Sequence, residues 1–587
     1  MSTEHLTLGP VLSFRGTHKN TWRVTALVGI KAGESIPTLS VEGKACPVPV
    51  VLHQTSKECF VRYDLSCPLR AKERRVAYGF APNGPQWEFS VPGKGYAPRM
   101  TYVSCNGFSD PNDMRKLVRP DNAVWSDLLS NHDRHLRPED YQLDKEQLWH
   151  EQSIHDQDLQ RFHLMLMGGD QIYFDAIWEE KTLKYWVSLS RKEQLRYKVT
   201  KTLDRQIEQY YFGLYSQRWC PEARKRWLRK EPLRDAADAM ATMPTVMMWD
   251  DHDIIDGWGS YSSEMQYCEV LQRIFHHARR AFWVFQMQQQ LEDLPELILS
   301  DRADISQKDP QYAPVDWERV RTRDPLSLPL LDGQPGFTSV YCAGPVAIVA
   351  ADLRTERSRT QVLGQYSWQA LQTCLRDLPE GEPNHPGDRC QHLLFMSSVP
   401  VVHPKLSLAE ELLEVFGNES VVDSSIDDLR DHWSHDDHEG ERKRLIETLT
   451  KVAGSKRLRV SIVSGDVHVA ACGGTYRRDL FNINNWAQIL QFTSSAVVHP
   501  SLVGVPERLF LHLLNRLASQ PQKVDPQYEV EMMLFPSHNR YIMPARNWLA
   551  LELDMGEIDA GCKLWATWRC ETQTGFSNHL QAVDPAQ

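Results

Sequence analysis

Short apolar runs separated by turn residues dominate the first hundred residues of the chain. They have the length of strands and are bounded by Gly, Pro, Asn or Lys-Gly: WRVTALVGI, PVPVVLHQ, CFVRYDL, RRVAYGF and WEFSV. Short strands at regular spacing, with turn residues between them, are typical of a small β-sandwich. We therefore predict an N-terminal β-sandwich over residues 1–97.

After residue 97, strand-like runs alternate with helical segments. The strand-like runs include TYVSC, FHLMLM, PTVMMW, VAIVAADL, HLLFMSS, LRVSIVSG and ILQFTSS. Helical periodicity is found near 266–290, 367–378, 440–452 and 502–518. This alternation predicts an α/β fold with helices on the faces of the sheet. We assign residues 98–540 to a second domain with a helical insertion at about 176–241, and residues 541–587 to strands that close on the core.

The helical segment at 502–518 has apolar residues at helical spacing. We interpret it as a helix packed on its own domain, with a partner-binding or lid helix as the alternative.

Composition and charge exclude several classes of protein. The chain has 587 residues, 41% of them hydrophobic and 10% aromatic, which excludes a disordered protein and allows at least two packed cores. Its formal net charge of −11 argues against a dedicated nucleic-acid-binding protein. No apolar run approaches the roughly 18 residues of a membrane span.

The first residues show no secretory signal, so we expect a cytoplasmic protein. The cysteines form no CxxC pair, and most are expected to be buried hydrophobic residues.

Acidic residues and histidines directly follow three of the strand-like runs. HLMLM leads into GGDQIYFD, TVMMW into DDHDIIDGWGS, and VSIVS into GDVHVA. In open α/β sheets ligands bind at the carboxyl ends of strands, so we expect the three clusters to meet at one edge. Carboxylates this close repel one another without a cation between them, and oxygen and imidazole donors suit hard or borderline cations. The sequence therefore predicts one metal site.

Each cluster alone also has a structural explanation. Asp170, after two glycines, could cap a helix or close an Asx-turn. The carboxylates of residues 250–256 could lie in a solvated loop, and Asp466 and His468 could be a capping residue and an incidental histidine. The occurrence of three such clusters, and the pairing of Asp170 with Tyr173, favours the metal site.

The segments GGDQIYFD, WDDHD, ADLRTERS, SGDVH and TSSAVVHP occur in this order along the chain. Together they resemble the PhoD-like phosphatase family, a branch of the calcineurin-like metallophosphoesterases, over roughly residues 100–500. The resemblance implies an α/β/β/α sandwich core, and an N-terminal β-sandwich is also usual in the family. The spacing of Asp170 and Tyr173 is also similar to that in purple acid phosphatases, where the tyrosine binds ferric iron.

The resemblance implies a set of metal ligands: Cys105, Asp170, Tyr173, Asp251, Asp466 and His468. Asp170 would bridge two metals, and a buried cysteine without a metal is the alternative for Cys105. Ser104-Cys105-Asn106 replaces the superfamily's usual Asp-x-His motif, and carboxylates replace two nitrogen or amide donors. More oxygen donors shift the preference from zinc towards iron, manganese, calcium or magnesium. We expect two or more metal ions, iron together with calcium, manganese or another divalent cation.

The same resemblance implies a catalytic group. His252 would lie beside the phosphate, oriented by Asp253, and donate a hydrogen bond or proton to the leaving oxygen. Arg354 and Arg357 could clamp a phosphate, although a structural salt bridge is an equally good explanation for one of them.

Other histidines and acidic residues have weaker assignments. His403 and His499 follow strand-like runs near the same edge. The segment DHWSHDDHEGER is interpreted as a solvated loop before a helix, whose Trp433 could line a substrate entrance. A third metal site is the alternative, because the segment contains the donors His435, Asp436, Asp437 and His438.

The predicted function is a metal-dependent phosphoesterase that cleaves phosphate mono- or diesters. Two cations about 3.5 to 4 Å apart would activate a bridging hydroxide for in-line attack on phosphorus. The expected substrates are phosphorylated small molecules, lipids or polymers, without sequence-specific recognition of nucleic acid. The alternative is a catalytically weak or inactive phosphoesterase fold that acts as a scaffold for protein partners.

Overall fold

The computed structural model describes most of the chain. The described residues are 6–18, 20–80, 84–133, 161–219, 234–294, 330–331, 334–378, 390–404, 433, 438–480, 483–501, 505–554 and 561–587. The strands are β1 Leu6–His18, β2 Thr21–Lys31, β3 Leu39–Val41, β4 Lys44–Ala45, β5 Val50–Gln54, β6 Glu58–Pro68, β7 Arg74–Phe80, β8 Gln86–Val91, β9 Met100–Val103, β10 Leu164–Gly168, β11 Thr245–Met248, β12 Ser339–Ala343, β13 Val346–Ala350, β14 His392–Ser397, β15 Arg459–Ser464, β16 Ala470–Arg477, β17 Gln488–Ser494, β18 Gln522–Lys523, β19 Tyr528–Met533, β20 Ile542–Met543, β21 Asn547–Asp554, β22 Lys563–Glu571 and β23 Phe576–Val583.

The α-helices lie between the strands, as the alternating pattern predicts. They are α1 Ala123–Asp133, α2 Lys181–Val187, α3 Arg191–Arg196, α4 Lys201–Arg218, α5 Arg234–Thr242, α6 Ser263–Gln266, α7 Glu269–Phe285, α8 Gln365–Arg376, α9 Glu439–Lys456 and α10 Val505–Ala518. Helices α7 to α10 overlap the four segments with helical periodicity. None of the helices in the described part of the chain combines the length and hydropathy of a membrane span.

A ten-stranded sheet has the order β23-β22-β21-β9-β10-β11-β1-β2-β6-β5. At its centre β10 pairs in parallel with β9 and with β11, and Met165 lies opposite Thr101 and Thr245. All residues of β9, β10 and β11 are buried, which explains why these strands are apolar without alternation.

A second sheet has the order β12-β13-β14-β15-β17-β16-β19-β18, with β20 also paired to β16. Strands β13, β14, β15 and β17 are parallel neighbours. The two large sheets share one hydrophobic core, to which Leu166 and Val246 contribute from the first sheet and Ile348 and Phe492 from the second.

Helices cover the outer faces of the two sheets. Met167 of the first sheet shares a cluster with Phe212 of α4 and Phe275 of α7. Residues of the second sheet cluster with Leu371 of α8 and Leu449 of α9. The predicted α/β class is confirmed, and the assignment of this layering to the metallophosphoesterase type stays a prediction.

The strands of the N-terminal segment are divided between two sheets. Strands β1, β2, β5 and β6 belong to the ten-stranded sheet, and β1 pairs in parallel with β11. Strands β4, β3, β7 and β8 form a small sheet of their own. The ten-stranded sheet therefore continues across residue 97, and it is extended by β21 to β23 at the other edge. The predicted domain division stays a prediction.

Candidate metal centre

The segments that follow β10, β11 and β15 meet at the carboxyl ends of these strands. Ligand atoms of Asp170, Asp250, Asp251 and Asp466 all lie within 4.8 Å of one another, and those of Asp170, Asp251 and His252 form an overlapping set with the same limit. The structure thus brings residues of all three sequence clusters into one group. Asp250, which the sequence analysis did not select as a ligand, belongs to it.

The backbone turns sharply at this group. Cys105, Asp170, Asp466 and His468 have positive φ angles of 55°, 56°, 72° and 52°. The left-handed region is unfavourable for residues other than glycine, and such conformations cluster at functional sites. Each turn ends a strand or follows it within a few residues, which lets the polar side chains gather in one place.

Gly107 allows the ring of Tyr173 to pack against the turn that follows Cys105. A Cβ atom at residue 107 would lie 2.3 Å from Cδ2 of that ring. Any other residue at this position would therefore displace Tyr173, a predicted ligand.

Two carboxylate oxygens of the group are suited to a cation. Oδ1 of Asp170 and Oδ2 of Asp250 are buried, and neither has a hydrogen-bond partner among the residues that the structure describes. Leaving a buried carboxylate oxygen without a partner is costly. Bound cations would satisfy both oxygens, so the donor set fits the metals that the resemblance implies.

The pKa values of these acids reflect their confinement. Burial raises the pKa of Asp170 well above its usual range, and the acids at 250, 251 and 253 add to this, although His252 opposes it. Burial also raises the pKa of Asp250 to about 8, against the effect of Arg354. A cation would stabilise the charged carboxylates and remove this penalty.

Arg354 forms ion pairs with two acids of the group. Its Nε donates to Oδ1 of Asp250, its Nη2 donates to Oδ1 of Asp251 at 3.2 Å, and its Nη1 donates to the carbonyl of Trp258. The side chain is completely buried. These contacts are those of the salt-bridge alternative, and the role of Arg354 on phosphate stays a prediction. Arg357 is also fully buried and packs against Gly259, and its role on phosphate stays a prediction.

Asp253 connects the two loops of the site. Its carboxylate accepts hydrogen bonds at 2.8 to 3.1 Å from the backbone N–H groups of Asp170, Gln171, Ile172 and Asp250 and from the amide of Gln286. The structure therefore corrects the prediction that Asp253 orients His252, since its two oxygens are engaged by these donors. Burial raises the pKa of Asp253 to about 7, although the hydrogen bonds oppose this shift.

Asp175 takes the place that the sequence analysis gave to Asp253. Its Oδ2 lies 2.9 Å from Nδ1 of His252, and the His252 ring stacks on Tyr173 with 4.3 Å between centroids. Burial opposes protonation of His252, but Asp175, Asp251 and Asp170 raise its pKa well above the usual value. The sequence contains one signal for Asp175, which ends the segment GGDQIYFD.

His252 also lies close enough to Asp170 and Asp251 to bind a metal ion with them. The prediction that His252 is not a metal ligand therefore stays a prediction.

Cys105 and Tyr173 form a small buried cluster with Ala496. The Cys105 Sγ lies 3.4 Å from Oδ2 of Asp170 and accepts a hydrogen bond from the Ser495 hydroxyl at 3.0 Å. Burial, then Asp170, raises the pKa of the thiol well above its usual value. The predicted iron ligand is therefore at the site, and binding of a cation would be needed to deprotonate it.

His468 and His499 lie together, and His499 is next to Tyr173. The two imidazole rings stack with 3.6 Å between centroids, and His499 also stacks on the Tyr173 ring. Burial lowers the pKa of both histidines, that of His499 to about 4. Their neutral rings are in the form that binds metals.

Three residues with weaker assignments have described surroundings, and none of them belongs to the group of four acids. His403 contacts the carbonyl of Pro404 through Nδ1. Trp433 is fully buried and donates to the Ser397 hydroxyl, which corrects its prediction as the lining of an entrance. His438 is buried at the start of α9, and residues 434–437 lie outside the described residues.

Comparison with known proteins identifies the family to which the chain belongs. The chain matches the family described as PhoD related phosphatase over residues 142–305, 331–423 and 408–522. These ranges cover more than half of the chain, which therefore belongs to this family, and the resemblance seen in the motifs is confirmed. The chain is also similar to the uncharacterized protein YGR266W of Saccharomyces cerevisiae, with 27% identity over 451 residues. That match covers 70% of this chain and 56% of the yeast protein.

Proposed function

We propose that this chain is a metal-dependent phosphoesterase that hydrolyses phosphate mono- or diesters. The observation that carries the proposal is the group of four carboxylates from three loops, with ligand atoms within 4.8 Å. Acids gathered in this way are more stable with cations than without them. Membership of a phosphatase family supports the same chemistry.

The proposed ligands are the acids of this group with the thiol, phenol and imidazole beside it: Cys105, Asp170, Tyr173, Asp250, Asp251, Asp466 and His468. This mixture of oxygen, sulfur and nitrogen donors favours iron together with calcium, manganese or another divalent cation. When bound, such ions polarise a phosphate ester and lower the pKa of water.

The protein itself holds the proton that the leaving oxygen requires. Asp175 engages Nδ1 of His252, which leaves Nε2 as the ring atom that can donate to substrate. Tyr173 fixes the plane of the ring by stacking on it. A proton donated by His252 as the ester bond breaks is expected to contribute about 10²- to 10⁴-fold.

Arg354 and Asp253 position the acids. Arg354 holds Asp250 and Asp251 on one side, and Asp253 ties the backbone of residues 170–172 to Asp250. These contacts hold the acids in place, which limits the reorganisation needed during the reaction.

The experiment measures metal content and hydrolysis on the purified full chain. The substrates are p-nitrophenyl phosphate and bis(p-nitrophenyl) phosphate, with and without added iron, manganese and calcium, over a broad pH range. Asp170→Asn is expected to lose metal and to lower turnover by more than about 100-fold, since even partners of metal ligands cost 10- to 100-fold. Asp293→Asn, at an exposed carboxylate, is the matched control. If the fully metallated protein cleaves neither ester, the proposal is wrong.

A further inference from the structure

A surface cavity of about 750 Å³ lies between α10 and the segment that leads to β21. Four basic side chains line it: Arg508, His512, Arg516 and Arg540. Its volume is in the range of small-molecule sites. None of the proposed metal ligands is among its described lining residues.

The basic residues reach the cavity from two separate elements. Arg508, His512 and Arg516 are spaced four residues apart, so they lie along one side of α10. Arg540 comes from the turn between β19 and β20. The side-chain oxygen of Asn515 accepts hydrogen bonds from the backbone N–H groups of Tyr541 and Ile542 at 3.0 and 3.2 Å, which fixes this turn against the helix.

The three arginines of the cavity lack the acidic partners that several other arginines have within the described residues. Arg508, Arg516 and Arg540 are exposed, and within the described ranges no ion pair or hydrogen bond engages any of their guanidinium groups. Elsewhere, by contrast, Arg546 pairs with Glu571. Positive charges gathered in one cavity repel one another, and an anion bound between them would replace this repulsion with attraction.

Apolar side chains are exposed beside this cavity. Leu509, next to Arg508 on α10, is 75% exposed, and Leu534 is 54% exposed. Leu534 lines a neighbouring cavity that shares Asn539 with the basic one. A ligand with an anionic group and an apolar part would use both kinds of surface.

We propose that the cavity of Arg508, His512, Arg516 and Arg540 is a binding site for a phosphate-bearing anion, separate from the metal centre. Guanidinium groups match phosphate oxygens because each presents several N–H donors in a fixed plane. Two sources carry this chemistry, a soluble polyphosphate and the headgroup of an anionic phospholipid. The proposal does not depend on phosphoesterase activity.

Binding to the full chain with two probes tests the site. Calorimetry with sodium tripolyphosphate measures soluble phosphate binding, and co-sedimentation with phosphatidylcholine vesicles, with or without phosphatidic acid, measures headgroup binding. The double variant Arg516→Ser/Arg540→Ser is expected to bind at least about tenfold more weakly than the wild type, since charge-assisted bonds to phosphate are lost. Arg516→Lys/Arg540→Lys should retain part of the affinity.

Two controls show whether binding depends on this site, and not on the metal centre or on the overall charge of the protein. Arg205→Ser removes an exposed arginine from α4, and it should bind both probes as the wild type does. Hydrolysis of p-nitrophenyl phosphate by the double variant should match that of the wild type. Loss of tripolyphosphate binding in the double variant supports a soluble ligand, and loss of vesicle binding alone identifies a lipid headgroup. The proposal is overturned if the wild type binds neither probe, or if the double variant binds as well as the wild type.

Discussion

Nδ1 of His252 lies 2.9 Å from Oδ2 of Asp175, and Oδ1 of Asp175 accepts a hydrogen bond from the backbone N–H of Asp256 at 2.8 Å. Both side chains are less than a tenth exposed. The carboxylate thus fixes the orientation of the imidazole and keeps a proton on Nδ1. Nε2 remains as the atom of the ring that can act on a substrate.

Asp175→Asn should lower turnover while leaving metal content close to that of the wild type. The amide can still contact Nδ1, but it no longer stabilises the charged imidazolium or selects its tautomer. We expect a decrease of about 10²- to 10⁴-fold in kcat, similar to that of His252→Gln. The measurement combines steady-state kinetics with elemental analysis of the purified variants.

The metal content of His252→Gln distinguishes the two roles that its position allows. A proton donor can be removed without loss of metal, whereas a ligand cannot. If metal content and turnover fall together in this variant, His252 is a ligand and the proposed proton donation is wrong.

Asp253→Asn should destabilise the fold as well as the site. The carboxylate accepts four backbone N–H groups, and an amide would replace one acceptor with a donor that faces them. Buried donors left without an acceptor cost about 1 to 3 kcal/mol each. We expect a loss of at least about 2 kcal/mol in the free energy of unfolding, measured by urea denaturation, together with reduced metal content. Asp293→Asn serves as the exposed control, and equal stability of the two variants would contradict this role.

The sequence predicts the local elements well because their signals are local. The helical periodicity near 440–452 corresponds to α9, and the apolar runs without alternation correspond to β10 and β11. The pairing of β1 with β11 joins Ser13 to Thr245. Such a contact between distant segments is set by the packing of the whole sheet, and the turn pattern of the first hundred residues contains no signal for it.

The same distinction applies to the site. Asp170, Asp251, His252 and Asp466 could be selected because each follows an apolar strand-like run. That Asp175, and not Asp253, contacts the imidazole could not be predicted in this way. Asp253 is engaged elsewhere, because the backbone at Asp170 is left-handed and the N–H groups of residues 170–172 donate to its carboxylate. Motif position alone does not reveal which of two nearby acids faces the imidazole.

Cys105→Ser tests the thiol as an iron ligand. Serine keeps the shape of the side chain and a hydrogen bond to Ser495, but its hydroxyl is a much poorer ligand for iron than a thiolate. We expect the variant to fold normally and to contain less iron, with calcium or manganese content unchanged, as measured by elemental analysis. Cys472→Ser, at another buried cysteine, is the matched control for the burial of a hydroxyl. Unchanged iron content in Cys105→Ser would favour the alternative of a buried cysteine without a metal.

Glu552→Gln should stabilise the protein at alkaline pH. Glu552 in β21 is 3% exposed, and burial raises its pKa from 4.5 to about 8, although Arg99 opposes this shift. The unfolded chain therefore releases the proton near pH 4.5 while the folded chain retains it to about pH 8. Stability falls as pH rises through this window, by up to about 1.4 kcal/mol per pH unit. Glutamine is uncharged throughout, so the variant should gain stability relative to the wild type as pH increases.

Urea denaturation at about pH 5 and about pH 8 measures the difference, with Glu292→Gln at an exposed position as the control that should show no such trend. If the difference in the free energy of unfolding between Glu552→Gln and the wild type is the same at both pH values, the pKa of Glu552 is not raised by folding and the prediction is wrong.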